Sequence, residues 1–186
     1  MSAAFPVPGD DGGANHLVRG LAMPDIALPA TTGEQVILSA QSGWTALFVY
    51  TWTGRPGVAN PPDWDSIAGA HGSTPQAEGF RNLHPAFREH GVAVFGLSVQ
   101  TTDWQRELAE RLALPFALVS DAQLTLQCAL RLPTFETGGV TYLKRLTLVL
   151  RDGRIEHVFY PVHPPEAHAR EVLLWIEERV TRRPRS

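Results

Sequence analysis

The chain has 186 residues, enough for one well-cored domain and short for two. Its formal charge of −3 offers no basic face for nucleic acid or an anionic membrane, and no apolar run has the roughly 18–20 residues of a membrane span. A single cysteine, Cys128, excludes an internal disulfide, and no Cys-x-x-Cys or Cys/His cluster points to a metal.

Residues 1–20 are rich in Gly, Pro and Asp and lack the basic-then-apolar pattern of a secretory signal. They read as a flexible leader to a cytoplasmic domain over 21–180, with 181–186 as a short basic tail. Residues 24–39 carry a hairpin pattern: Ile26 and Leu28, a turn at Thr31 to Glu34, then Val36, Ile37 and Leu38. The continuous apolar run over 44–50 predicts a central strand buried on both faces. Residues 51–72, with Pro56, Pro61 and Pro62, form a long irregular loop, and loops of that length inside a domain are commonly functional. Trp52 and Trp64 within it read as anchors.

A helix is predicted over 74–89, capped by Ser73 or Thr74, with Ala77, Phe80, Leu83 and Phe87 on one face. Pro75 suits its first turn, whereas Pro85 should bend or shorten it. A second buried strand follows over 91–99, a helix over 103–112 and a short strand over 116–119. Asp121 can cap a helix over 122–131, which would put Cys128 on a core face with Leu124. The dipeptide Asp152-Gly153 between runs 143–151 and 154–160 is a strong hairpin signal, and 165–180 is a final amphipathic helix. A β-α-β beginning gives parallel strands and the closing hairpin antiparallel ones. The fold class is therefore α/β: a mixed central sheet flanked by helices on both faces, with an N-terminal hairpin, an order that thioredoxin-like architecture fits best.

Ser73 is the residue that bears on function. A side chain opening a helix after a buried strand meets helix N-terminal amides, which stabilise a thiolate or another anion. A serine hydroxyl gains little there. The run Gly72-Ser73-Thr74-Pro75-Gln76-Ala77-Glu78-Gly79-Phe80-Arg81 resembles the active-site segment of peroxiredoxins of the bacterioferritin-comigratory (PrxQ) type, which read Gly-Cys-Thr-x-Gln and then Ala-Cys-x-x-Arg-Asp. The similarity continues through residues 91–98, 118–121, 144–150 and 152–159.

The resemblance implies a thioredoxin-like fold and a thiol peroxidase without cofactor, acting on hydrogen peroxide or an organic hydroperoxide. It implies regeneration by a thioredoxin-like or low-molecular-weight thiol, in a monomer or homodimer. Ser73 occupies the peroxidatic position, Gly72 and Ser73 would offer backbone amides to the peroxide, Arg145 matches the active-site arginine, and Gln76 matches the residue that orients it. Glu78 stands where a resolving cysteine is common. Two positions depart from the pattern: Ala70 replaces a threonine and Ser66 a proline, with Thr53 the candidate substitute for the lost hydroxyl.

Other residues carry weaker readings. Cys128 is either a small buried hydrophobe or a resolving thiol. His71 either serves the site or lies in water, Arg81 belongs to a helix surface, and the spacing of His163 and His168 does not build a metal site on one helix face. Two functions follow. The chain is a peroxidase whose nucleophilic cysteine is replaced by serine, or a natural redox-inactive member that keeps the pocket for binding or regulation.

Overall fold

The computed structural model describes residues 5–181. The basic tail expected from 181 lies, beyond Thr181, outside the described residues. The elements run β1 (Ala27–Pro29), β2 (Gln35–Ile37), β3 (Trp44–Val49), α1 (Ser73–Glu89), β4 (Val92–Ser98), α2 (Thr102–Arg111), β5 (Leu118–Ser120), α3 (Thr125–Leu130), β6 (Thr134–Thr137), β7 (Val140–Leu143), β8 (Leu146–Arg151), β9 (Arg154–Phe159) and α4 (His168–Thr181). Five strands form the central sheet in the order β5-β4-β3-β8-β9, parallel between β3, β4 and β5 and antiparallel at β8 and β9. The expected mixed sheet and N-terminal hairpin are both present.

Strand β3 explains the layering. Successive side chains point to opposite faces. Ala46 and Phe48 enter a core shared with Ala77, Phe80 and Phe87 of α1, Leu108 of α2 and Val172 and Ile176 of α4. Leu47 and Val49 enter the other core, with Leu28 and Leu38 of the hairpin region, Leu126 and Leu130 of α3, and Leu143. Burial on both faces accounts for the mostly apolar run, in which Thr45 is buried as well. Pairing of Val49 with Leu146 brings the end of β3 to the start of β8, so Thr51 and Arg145 lie at the same end of the sheet. No helix of the described residues is long and apolar enough to cross a membrane.

Several expectations are corrected. Helix α1 starts at Ser73 and is preceded by Gly72 in left-handed conformation (φ 105°), with no side chain capping it, so neither Ser73 nor Thr74 is a cap. Pro85 lies inside α1, which continues to Glu89; the proline is on the exposed side while Phe80 and Phe87 hold the buried side through it. Asp121 does cap α3, but the helix begins only at Thr125: the carboxylate accepts from the Leu126 and Gln127 amides at 3.0 and 2.8 Å. That later start turns Leu126 and Leu130 inward and leaves Cys128 exposed, against the expectation of a core face.

The β6–β7 hairpin was not foreseen from the sequence. It turns on Gly138 and Gly139, both at positive φ (58° and 73°), where a Gly-Gly turn between short Thr- and aromatic-containing runs is its signal. Residues 5–20 pack against the domain. Ala14 and Leu17 are buried in the core, Asp10 and Asp11 close local turns on the Gly12 and Gly13 amides, and Arg19 pairs with Glu156 at 2.9 Å.

Candidate active site

The site forms where β3, the start of α1 and the start of β8 meet. Ser73 is buried at 3 % exposure and Arg145 at 4 %. The Arg145 guanidinium donates through Nη1 to Gln76 Oε1, and through Nη2 to the His71 carbonyl at 3.0 Å and Ser73 Oγ at 3.2 Å. The carbonyls of Gly69 and Ala70 lie further from Nη2, each at 3.4 Å. Gln76 is completely buried, and its place one turn into α1 puts its amide oxygen on the arginine.

Thr51 completes the cluster. Its hydroxyl donates to the Ala70 carbonyl at 2.7 Å and lies 3.0 Å from Ser73 Oγ. A hydroxyl has one proton. With that of Thr51 spent on Ala70, the Ser73 hydroxyl is the donor between the two, and Ser73 Oγ receives from Arg145. The atom at position 73 therefore sits between a cation and a hydroxyl at the opening of a helix.

The electrostatics are one-sided. Burial alone pushes the Arg145 pKa down to about 9, which leaves it charged at neutral pH. Among the described residues its partners are carbonyl, amide and hydroxyl oxygens, with no carboxylate. Arg145 Nε and Gln76 Nε2 are buried donors without an acceptor among the described residues. A buried, uncompensated cation and spare donors favour a negative or lone-pair-rich group at this place. A cavity of about 120 Å³ adjoins Thr51 and Arg145, with Phe135, Lys144 and Tyr160 in its wall.

Gly72 is needed for two reasons. Its φ disfavours an L side chain, and a Cβ there would stand 2.2 Å from Cγ of Pro165. The structure thus gathers Gly72, Ser73, Gln76 and Arg145 as the sequence suggested. It does not gather Cys128, which sits on α3, packed against the other face of the sheet from α1, with its thiol beside Gln127 Oε1 at 3.4 Å.

The hydroxyl beside position 73 comes from Thr51 and not from Thr53, whose hydroxyl donates to Gln100 Oε1 at 3.1 Å. Nothing local in the sequence singles out Thr51, which directly follows the central strand and opens the irregular 51–72 loop. The C-terminal end of a strand in a parallel β-α-β unit is the signal that marks it. His71 contributes its carbonyl to Arg145, while its ring pairs with Asp65 at 2.8 Å. Arg81 reaches the Leu112 carbonyl at 2.9 Å, joining α1 to the end of α2, and is no simple surface charge. His168 is buried between Thr147 Oγ1 (2.8 Å) and Glu171 Oε2 (3.0 Å), and burial lowers its pKa. Trp64 packs on Trp52, Phe135 and Tyr142 with ring centroids 5.6, 5.6 and 5.2 Å apart, so the tryptophans anchor the 51–72 loop.

Comparison with known proteins agrees with this geometry. The family model for Redoxin matches residues 19–173. Peroxiredoxin Bcp of Escherichia coli K12 is 31% identical over 169 residues, covering 88% of this chain and 98% of the relative. The chloroplastic peroxiredoxin Q of Oryza sativa subsp. japonica is 29% identical over 162 residues, covering 79% and 72%. In structure, peroxidoxin BcpB from Mycobacterium tuberculosis superposes with a TM-score of 0.71 at 26% identity, covering 88% of this chain and 98% of its own. The fold is likewise that of a cysteine-to-serine mutant of PrxQ from Xylella fastidiosa, with a TM-score of 0.72 at 22% identity and coverage of 88% and 98%. The chain belongs to the redoxin family and is a peroxiredoxin of the Q/Bcp type.

Proposed function

We propose that position 73 is the reacting position of a hydroperoxide-reducing site, and that the chain is a thiol-dependent peroxidase framework which carries serine where the reaction needs sulfur. The observation that carries this reading is Arg145: a buried guanidinium without a carboxylate partner among the described residues, 3.2 Å from Ser73 Oγ. With a cysteine at 73, the guanidinium and the opening of α1 favour the thiolate. The thiolate sulfur attacks one peroxide oxygen. An S–O bond forms, the O–O bond breaks, and the departing oxygen leaves as water or an alcohol once protonated, its charge held by Arg145 and by the amides of Gly72 and Ser73. An external thioredoxin-like or low-molecular-weight thiol then condenses with the sulfenic acid, releasing water, and a second thiol reduces the resulting disulfide. An external donor fits because Glu78 occupies the common resolving position and Cys128 lies on the other side of the sheet.

Serine has neither the acidity nor the sulfenic acid chemistry for these steps. Replacement of a single cysteine by serine accounts for Ser73 alone. A second reading, a natural redox-inactive member that binds without turnover, is favoured by the further departures at Ala70 and Ser66. The test is S73C in a C128A background, assayed for hydrogen peroxide consumption with a dithiol reductant. Turnover that the parent chain lacks supports the peroxidase framework. An inert thiol at 73 refutes it and leaves the binding reading.

A further inference from the structure

The leader does more than complete the core. Residues 5–11 cross the outside of the site and touch the segments that build it. The Phe5 ring stacks on the His71 imidazole, with centroids 3.6 Å apart and planes 14° from parallel. The Pro6 carbonyl accepts from the Gly69 amide at 3.2 Å, and a Cβ at Gly69 would meet the Pro8 ring at 3.2 Å. Pro8 and Gly9 themselves line the cavity beside Thr51 and Arg145. Asp11 then closes the crossing: Lys144 Nζ donates to Oδ2 at 2.5 Å and the Tyr160 hydroxyl to Oδ1 at 2.6 Å. Gly69 and His71 supply carbonyls to Arg145, and Lys144 precedes it in the chain, so the segment rests on the backbone that frames the arginine.

We infer that residues 5–11 are the size-selecting wall of this pocket, a strap latched by Asp11 that admits hydrogen peroxide and small hydroperoxides and excludes those with a bulky aryl group. The inference rests on the proposed peroxidase reading for its substrate. Three observations support it. With the strap in place the cavity is only about 120 Å³, below the roughly 300–1,000 Å³ of sites for drug-sized ligands. Strap residues are part of the cavity wall and not a distant covering. Finally, the strap is held by polar contacts more than by burial: Phe5 is 49 % and Val7 60 % exposed, so loss of the latch releases it without opening the core. The Lys144 ammonium and the Tyr160 hydroxyl hold the Asp11 carboxyl well below the usual carboxylate range, which keeps the latch charged at neutral pH.

The experiment compares S73C/C128A with S73C/C128A/D11A and S73C/C128A/D11A/F5A, all as full chains. Specificity constants are measured for hydrogen peroxide and for cumene hydroperoxide. The thiol at 73 is also alkylated with iodoacetamide and with an N-aryl maleimide, a readout of size selection that needs no turnover. Loss of the strap is expected to raise the cumene-to-hydrogen peroxide ratio by about tenfold, with a similar rise in the aryl-to-iodoacetamide ratio. Both ratios staying within about twofold of the latched protein in both variants overturns the inference. If no variant reduces either peroxide, the peroxidase reading fails, and the alkylation ratio still decides whether the strap selects by size.

Discussion

The acidity of a thiol at position 73 is the sharpest consequence of this geometry. In S73C the sulfur would stand about 4 Å from the guanidinium charge, where an opposite charge stabilises the thiolate by about 4 kcal/mol at an effective dielectric constant of 20. The opening of α1 adds about 1 kcal/mol. Against this, burial of the ion costs about 3 kcal/mol, taken low because a thiolate is large and polarisable. The net gain of about 2 kcal/mol moves the thiol from 8.5 to about 7. Removing the guanidinium in S73C/R145M leaves the burial cost almost unopposed and predicts a pKa near about 10. The difference between the two proteins, about 3 units, does not depend on the burial figure. It is read from the pH dependence of iodoacetamide alkylation in a C128A background, because Cys128 is exposed and would react as well. A thiol pKa at or above about 8.5 in S73C, or a change below about half a unit on R145M, refutes the role assigned to Arg145.

Three other outcomes follow from particular contacts. T51V in the S73C background removes the hydroxyl 3.0 Å from position 73 and should raise the thiol pKa by about 0.5–1 unit, since Thr51 must first release the Ala70 carbonyl to donate to sulfur; an unchanged value shows that Thr51 serves only the loop. G72A forces both a left-handed alanine and a collision with Pro165, and should cost about 2–4 kcal/mol, lowering Tm by roughly 5–15 °C. Adding P165A should restore the steric part only, and full recovery would show that the backbone conformation is not strained. D121A strips α3 of a buried cap with two amide bonds and a third to the Thr125 hydroxyl, and should lower stability by about 2 kcal/mol in urea unfolding, with D121N recovering part of it.

The sheet was legible because its signals are local. The run from Trp44 to Val49 is apolar at every position but Thr45 for the plain reason that both its faces are covered. Asp152 and Gly153 take the two positive φ angles (49° and 69°) that their residue types favour in a tight turn. The pairing of Ser73, Gln76 and Arg145 was legible only through resemblance, since nothing local says that residue 145 reaches residue 73. What stayed hidden was non-local. The leader looks flexible by composition, yet its prolines, glycines and aspartates are placed to meet Gly69, Lys144 and Tyr160, more than 60 residues away in the first case. The start of α3 was misplaced because Asp121 spans three residues before its helix begins.

The departures at Ser66 and Ala70 acquire a physical meaning once the arginine's partners are known. A motif read from side chains assumes that side chains hold the reacting groups in place. Here the 51–72 loop is fixed by Trp52 and Trp64 against Phe135 and Tyr142, and it presents backbone carbonyls of Gly69, Ala70 and His71 to Arg145. Carbonyls are indifferent to residue type, so an alanine at 70 frames the guanidinium by the same contact any residue there would make. The hydroxyl that Ala70 lacks is supplied from the end of β3 by Thr51, which uses that same Ala70 carbonyl as its acceptor. The site therefore departs at two positions of a side-chain pattern and still surrounds the atom at position 73 with a cation, a hydroxyl and a helix N-terminus. On the proposed peroxidase reading, Ser73 is the departure that changes the chemistry, because it alone stands where an atom must react.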